Sequence, residues 1–132
     1  MASLFVSSLC TLDSKNVPSL VAWSTMDPII AVASYSSDSS HSIQFFTNEG
    51  VAYPNANVQG NSGARPTAIS WQPGGRILAI GWSDGMLSCW FFDGRSRPTS
   101  SFSSNSTHNS TVTVLKWNPA GKRLVSGDKV GR

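Results

Sequence analysis

Charge is scarce in this chain. Only 13% of its 132 residues are Asp, Glu, Lys or Arg. Ser, Thr, Asn and Gly take their place, which excludes a highly charged disordered chain and suits a turn-rich β protein. The net charge is +3 and no run of Lys or Arg forms a stripe, so a nucleic-acid footprint is not predicted. Cysteine is almost absent. Cys10 and Cys89 are too few for the disulfide framework of a small secreted domain, and two reduced thiols in a cytosolic protein are expected. The only histidines are His41 and His108, and no His/Cys pair has ligand spacing, so no metal site is expected. No apolar run approaches the roughly 20 residues of a membrane-spanning helix. The opening residues Met1–Val6 are apolar, but no positive charge precedes them and Ser7-Ser8 interrupts them. They make a poor signal peptide and an expected edge strand. Without such a signal, the sequons at Asn105 and Asn109 predict no glycan.

Catalytic signatures are missing as well. No Gly-x-Ser-x-Gly elbow occurs. Pro73-Gly74-Gly75-Arg76 lacks the Lys-Ser/Thr of a phosphate-binding loop and reads as a hairpin turn. Most of the seven carboxylates stand at or beside predicted turns, where Asp favours turn geometry. Neither a cofactor nor a small-molecule substrate is implied. A propeller-type hydrolase would need convergent carboxylates or a metal, which the sequence does not display.

What the chain does have is a repeat, which is the first thing to seek because it decides the fold. Trp71 follows Trp23 by 48 residues, and Trp117 follows Trp71 by 46. Ten residues after each Trp stands a small residue: Ala33, Gly81 and Gly127. Before these lie Ile30-Ala31-Val32, Leu78-Ala79-Ile80 and Leu124-Val125-Ser126. The unit reads as a first strand ending at the Trp, a Pro-Gly turn, and a second strand apolar on both faces. A Ser83-Asp84-Gly85 hairpin turn, a third strand over Met86–Phe92 and a weaker fourth strand follow. Fourth strands are expected at Val51–Val58 and Pro98–Ser103. Whole-unit repetition of a four-stranded meander predicts a β-propeller. A β-sandwich shows regular strands but does not predict the repeat.

The stretch Ile80-Gly81-Trp82-Ser83-Asp84-Gly85-Met86-Leu87-Ser88-Cys89-Trp90 resembles the WD-repeat family, with Ile80 in place of that pattern's Ser and Phe91 in place of its final Asp. His108, nine residues before Trp117, falls at the family's histidine, and Ser126-Gly127 match its Ser-Gly. Val130 replaces the Asp, so the resemblance leaves no copy with a complete His/Ser/Asp/Trp set. The structural repeat positions it implies are Trp23, Trp71, Trp117, Gly81, Gly127, Asp84, Gly85, Trp90 and His108.

From about Pro18 to Arg132, Leu78-Ala79-Ile80-Gly81-Trp82 and Leu124-Val125-Ser126-Gly127-Asp128-Lys129-Val130-Gly131 stand in an order and spacing similar to the amino-terminal propeller of the intraflagellar transport protein 140 family. The resemblance implies an all-β, partial WD-repeat propeller: two four-stranded antiparallel blades at about 17–60 and 61–106, and an incomplete third at 107–132. It also implies a fragment, or a piece completed by another chain. Its functional implication is a non-enzymatic scaffold in intraflagellar transport complex A, bound to the other subunits of that complex, at the cilium, its base and the cytoplasm. A WD-repeat adaptor of another cytosolic or coat complex is the alternative. Two loops are candidate regulatory segments: the Ser-rich Ser34–Ser42, and Arg95–Thr111, where Arg97-Pro98-Thr99-Ser100 suits a basophilic kinase. Trp82 and Phe91 are candidate exposed aromatics, with inter-blade core as the competing expectation. His41 is expected to be a solvated loop residue.

Overall fold

The computed structural model describes residues 16–38, 40–61, 63–104 and 107–132. Cys10, Asn105 and the edge strand expected at Met1–Val6 lie outside the described residues. Ten strands follow one another: β1 (Asn16–Trp23), β2 (Ile29–Ser36), β3 (Ser42–Thr47), β4 (Ala52–Val58), β5 (Pro66–Trp71), β6 (Ile77–Trp82), β7 (Leu87–Phe91), β8 (Thr99–Ser104), β9 (Val112–Trp117) and β10 (Leu124–Asp128). They form three antiparallel sheets, ordered β1-β2-β3-β4, β5-β6-β7-β8 and β9-β10. Each is a meander in which every strand pairs with its predecessor. These are the blades of a partial β-propeller, called here blades 1, 2 and 3. Among the described residues no helix is long and apolar enough to cross a membrane.

The first strand of each blade is the inner one, because β5 packs against both β1 and β9. The fourth strands are the outer edges. Middle strands are covered on both faces, so they lack polar alternation: β2 is buried except at Tyr35, and β6 except at Ile77. By contrast β8, with the sequence TSSFSS, is exposed along nearly its whole length.

Strand alternation sends successive side chains to opposite faces, and this sorts the core. Ile29, Ala31, Ala33, Ile43 and Phe45 from blade 1 meet Trp71, Leu78, Ile80, Trp82 and Phe92 from blade 2. Phe45 sits at the centre, 4.4 Å from the Phe92 ring and 6.1 Å, edge-on, from Trp71. Each large side chain fully buried there contributes about 1.5–3 kcal/mol. Trp82 is buried in this layer, with its indole N–H donating to the Ser88 hydroxyl at 2.9 Å. Trp82 therefore follows the inter-blade core expectation and not the exposed one, whereas Phe91 remains partly exposed.

Blade 2 meets blade 3 differently. A Cβ at Gly81 would lie 2.4 Å from Cγ1 of Val112, which is itself fully buried. The absent side chain therefore sets how near β9 comes to β6. The Thr67 hydroxyl, at 2.6 Å from the Val112 carbonyl, fixes the same approach. At Gly127, the position one repeat later, a Cβ would meet only ordinary contacts. Its small size is not required by close packing.

Both loops singled out for regulation are smaller than the sequence suggested. β2 runs to Ser36 and β3 starts at Ser42, and Ser34, Ser36 and Ser42 are buried. About a third of Arg95–Thr111 is the edge strand β8. His41 is not simply solvated: its Nδ1 accepts the Ser36 amide at 3.0 Å and closes the β2–β3 hairpin.

Overpacking a filled core costs about 1–3 kcal/mol, so Gly81→Ala is expected to destabilise by that amount. Val112→Ala should return part of the loss when added to it. Urea titration of the two single variants and the double variant measures that coupling, and additive losses would show that Gly81 and Val112 do not define the approach.

Candidate functional site

Blades 2 and 3 are each tied to the blade before by an indole. Trp71, the last residue of β5, donates its Nε1–H to the Ala22 carbonyl of β1 at 3.0 Å. Trp117, the last residue of β9, donates to the Ser70 carbonyl of β5 at 3.0 Å. In both cases a Trp ending a first strand reaches the penultimate carbonyl of the preceding first strand. The turns beyond repeat the connection. The Thr25 hydroxyl donates to the Gln72 carbonyl at 3.2 Å, and the Gln72 amide donates to the Gly121 carbonyl at 2.7 Å. Arg76 adds an ion pair to Asp27 of blade 1 at 2.8 Å, half-exposed and so worth about 0–1 kcal/mol. The periodicity of Trp23, Trp71 and Trp117 was legible in the sequence. Their acceptors were not, because a backbone carbonyl leaves no residue signature.

At the other end of the blades the hairpin turns lock against the incoming chain. The Ser83 amide donates to the Arg65 carbonyl, and one repeat later the Lys129 amide donates to the Thr111 carbonyl, both at 2.9 Å. Gly85 turns at a φ of +88°, which favours glycine, and a Cβ there would meet the His108 carbonyl at 2.4 Å. The Asp84 carboxylate accepts the Met86 amide at 3.0 Å and so serves the turn.

His108 is buried in blade 3. Its Nδ1 lies 3.0 Å from an Asp128 oxygen and its Nε2 lies 2.8 Å from the Ser126 hydroxyl. A carboxylate only accepts, so Nδ1 carries the proton. In the tautomer with the proton on Nδ1, Nε2 accepts the hydrogen bond that the Ser126 hydroxyl donates. The other Asp128 oxygen accepts the amides of Val130 and Arg132 at 3.0 and 2.9 Å. The carboxylate missing at Val130 is thus supplied by Asp128, two residues earlier, and His, Ser and Asp are joined in this copy. The Arg132 amide foremost, and then the His108 bond, hold the Asp128 carboxyl below its ordinary 3.8. The equivalent position in blade 2 holds Trp82, which closes the same place with apolar surface.

Blade 2 shows what the substitution at Ile80 does. Trp90, on the same face one strand over, has a buried indole N–H with no hydrogen-bond partner. The Ser of the family pattern would stand at Ile80, which is fully buried apolar core instead.

Among the described residues no reacting constellation accompanies these contacts. Among the described residues no group of three or more His, Cys, Asp or Glu is placed to hold a metal ion. Cys89 is buried, and burial pushes its thiol up, so it is a poor nucleophile. Open surface depressions lie among the described residues. One, of about 260 Å³, lies between β4 and the segment leading to β8, lined by Tyr53, Asn55, Phe92, Arg95 and Arg97 among others. Such a surface offers donors and aromatic area to another macromolecule rather than an enclosed site for a small substrate.

The family model that matches the chain is described as the IFT140 first beta-propeller, and it covers residues 3–132. Among solved structures, a chain in the "Crystal Structure of Mitotic Checkpoint Complex" superposes with a TM-score of 0.69 at 21% identity, over 84% of this chain and 34% of that one. That likeness is one of fold, and the present chain spans about a third of the solved chain's length.

Two predictions follow from the two ways of closing a blade. An acid held below its unfolded value gives stability that is present above about pH 4 and is lost as the pH falls through the lowered native value. Thermal melts of the wild type are therefore expected to weaken below about pH 4. D128N is expected to melt lower at neutral pH and to show a flatter acid limb. Asp93, lowered mainly by the Arg95 amide, titrates in the same window, so the difference between the two proteins isolates Asp128. In blade 2, Ile80→Ser gives the Trp90 N–H an acceptor worth about 1 kcal/mol but removes about 1.5–3 kcal/mol of apolar burial, a net loss. Trp90→Phe removes the unpartnered donor and is expected to cost less than about 1 kcal/mol, far below a normal buried Trp. Urea midpoints rank the three proteins, and a stabilised I80S would reverse the reading.

Proposed function

The chain belongs to the family of IFT140 first β-propellers, and from that membership we propose that it is a non-enzymatic protein-interaction scaffold of intraflagellar transport complex A. It acts in retrograde ciliary transport and in the entry of membrane proteins into the cilium. Its partners are the remaining subunits of that complex, and it resides at the ciliary base, in the cilium and in the cytoplasm. Nucleic acid, small-molecule substrates and direct membrane insertion have no part in this reading. The blade boundaries at 17–60, 61–106 and 107–132 belong to the same proposal. So does a structural role for Trp23, Trp71, Trp117, Gly81, Gly127, Asp84, Gly85, Trp90 and His108.

The observation that carries the reading is the family match over nearly the whole chain. The physical chemistry is in keeping with it. Indole and hydroxyl contacts between blades hold the frame, while Phe91, Arg95, Arg97 and Phe102 are displayed at the surface. A rigid frame that presents side chains lowers the ordering cost of binding a protein.

Expressed with a tag in ciliated cells, the chain is expected to bring down complex A subunits and to concentrate at the ciliary base. Recovery of subunits of a different coat complex, with none from complex A, would place it as an adaptor elsewhere.

A further inference from the structure

Where blades 1 and 2 meet at the outer rim, two depressions beside β4 run into one another. They measure about 260 and 310 Å³ and share Asn55 and Arg97. Both walls belong to this chain. One is β4, the outer strand of blade 1, and the other is the segment that leads into β8. The β4 wall is bulged: Gln44 pairs with Asn57 and Phe46 with Ala52, so residues 53–56 stand opposite Phe45 alone. A bulge bends its strand and blunts the edge against pairing with a further strand. Within it, Asn55 has a φ of +56°, the one positive value outside glycine among the described residues. Asn tolerates that conformation better than most side chains. Asn55 and Asn57 are both exposed along the groove. The facing wall carries Arg95 and Arg97, also exposed. A Cβ at Gly94 would lie 3.2 Å from the Tyr53 ring, so the walls meet there, and that ring is seated edge-on against Phe92 at 5.3 Å.

The charge in this groove is one-sided. No carboxylate lines either depression. Asp93 stands in the adjoining one and accepts the Arg95 amide at 2.9 Å. The ion pairs among the described residues, Arg76 with Asp27 and His108 with Asp128, include neither Arg95 nor Arg97. We propose that the groove docks an extended acidic segment of a partner protein, with Arg95 and Arg97 holding carboxylates on alternate residues and Asn55 and Asn57 bonding its main chain. A guanidinium fork matches a carboxylate in two parallel hydrogen bonds. A carboxamide both donates and accepts, as a peptide unit requires. In an extended segment every second side chain faces the same way, which suits two arginines separated by one residue. Two cations in a short groove match a peptide better than a nucleic-acid backbone, which calls for a longer basic stripe. The inference rests on the reading of the chain as a protein-interaction scaffold and names the chemistry of one partner.

Fluorescence anisotropy of the whole chain at low salt, with a fluorescein-labelled peptide of alternating Glu and Ser, tests this. Binding is expected, weakening as salt rises, and a peptide of alternating Lys and Ser is expected not to bind. Arg95→Ala with Arg97→Ala is expected to weaken binding about tenfold or more. Lys122→Ala with Arg123→Ala removes the same charge from an exposed turn of blade 3 and is expected to leave it unchanged. Asn55→Gly keeps the positive φ, removes the carboxamide and is expected to weaken binding less than the arginine pair does. The reversal R95E with R97E is expected to favour the Lys peptide. Circular dichroism establishes that each variant is folded. A chain that does not bind the Glu peptide overturns the proposal. So does an equal loss in the two double alanine variants, which would mean diffuse charge, or tighter binding of a single-stranded oligonucleotide of the same length. None of these readouts involves complex A, so failure here leaves the complex A reading standing on its own pull-down.

Discussion

A single kind of contact organises this molecule: an indole N–H at the end of one inner strand donating to a carbonyl near the end of the preceding one. It is directional, so it sets height and rotation of one blade against the next, which apolar packing alone leaves loose. Because donor and acceptor lie at fixed positions in β1, β5 and β9, the same geometry propagates from blade to blade. The rest of each interface is filled inside that frame. Between blades 1 and 2 the filling is large and aromatic, around Phe45 and Trp71. Between blades 2 and 3 it is tight, with Val112 lying where Gly81 has no side chain. Two differently composed cores can share one architecture because the inner-strand contact carries the alignment.

The fold was legible from the sequence because a repeat advertises itself in side chains. The spacing of Trp23, Trp71 and Trp117 and the apolar runs at Ile30–Val32 and Leu78–Ile80 placed the strands, and observed boundaries differ by a residue or a few. The outer strands were also found, since the turns at Glu49-Gly50 and Asp93-Gly94 mark where they start. The site was less legible, for reasons that can be named. The acceptors at Ala22 and Ser70 are main-chain atoms, and any residue supplies them. The Thr67 bond to the Val112 carbonyl joins positions 45 apart in sequence, with nothing local to announce it. A loop over Ser34–Ser42 predicts a solvated His41, because the sequence does not mark how far β2 runs. Once β2 extends to Ser36, the imidazole is within reach of an amide.

Asp128 is the most instructive case. A pattern fixes the carboxylate at Val130, and its absence there suggested that His108 lacked an acidic partner. The requirement of a buried imidazole is chemical rather than positional: one acceptor for Nδ1–H and one donor for Nε2. Asp128 and Ser126 meet it from the end of the same strand. Asp128 also accepts two amides of the turn that follows, so one carboxylate both orients the histidine and shapes the hairpin. Motif matching is blind to such a move because it scores the position and not the hydrogen-bond requirement.

Blades 2 and 3 therefore solve one problem by opposite means, and the means have different consequences. Blade 3 closes with charge and hydrogen bonds, which are strong only in correct geometry and in the ionised state. Blade 2 closes with Trp82 and Ile80, which gain burial without regard to pH but leave the Trp90 N–H unmatched. The burial of Ile80 outweighs the hydrogen bond that its replacement would allow, so the departure from the repeat pattern is favourable on balance. Degeneracy of the repeat is then not decay of the fold. Each blade must satisfy the inner-strand indole contact and cover its neighbour, and any chemistry that does both is admitted. The positions beyond those two demands, at the turns and along β8, are the ones left open to variation in the surface presented to other proteins.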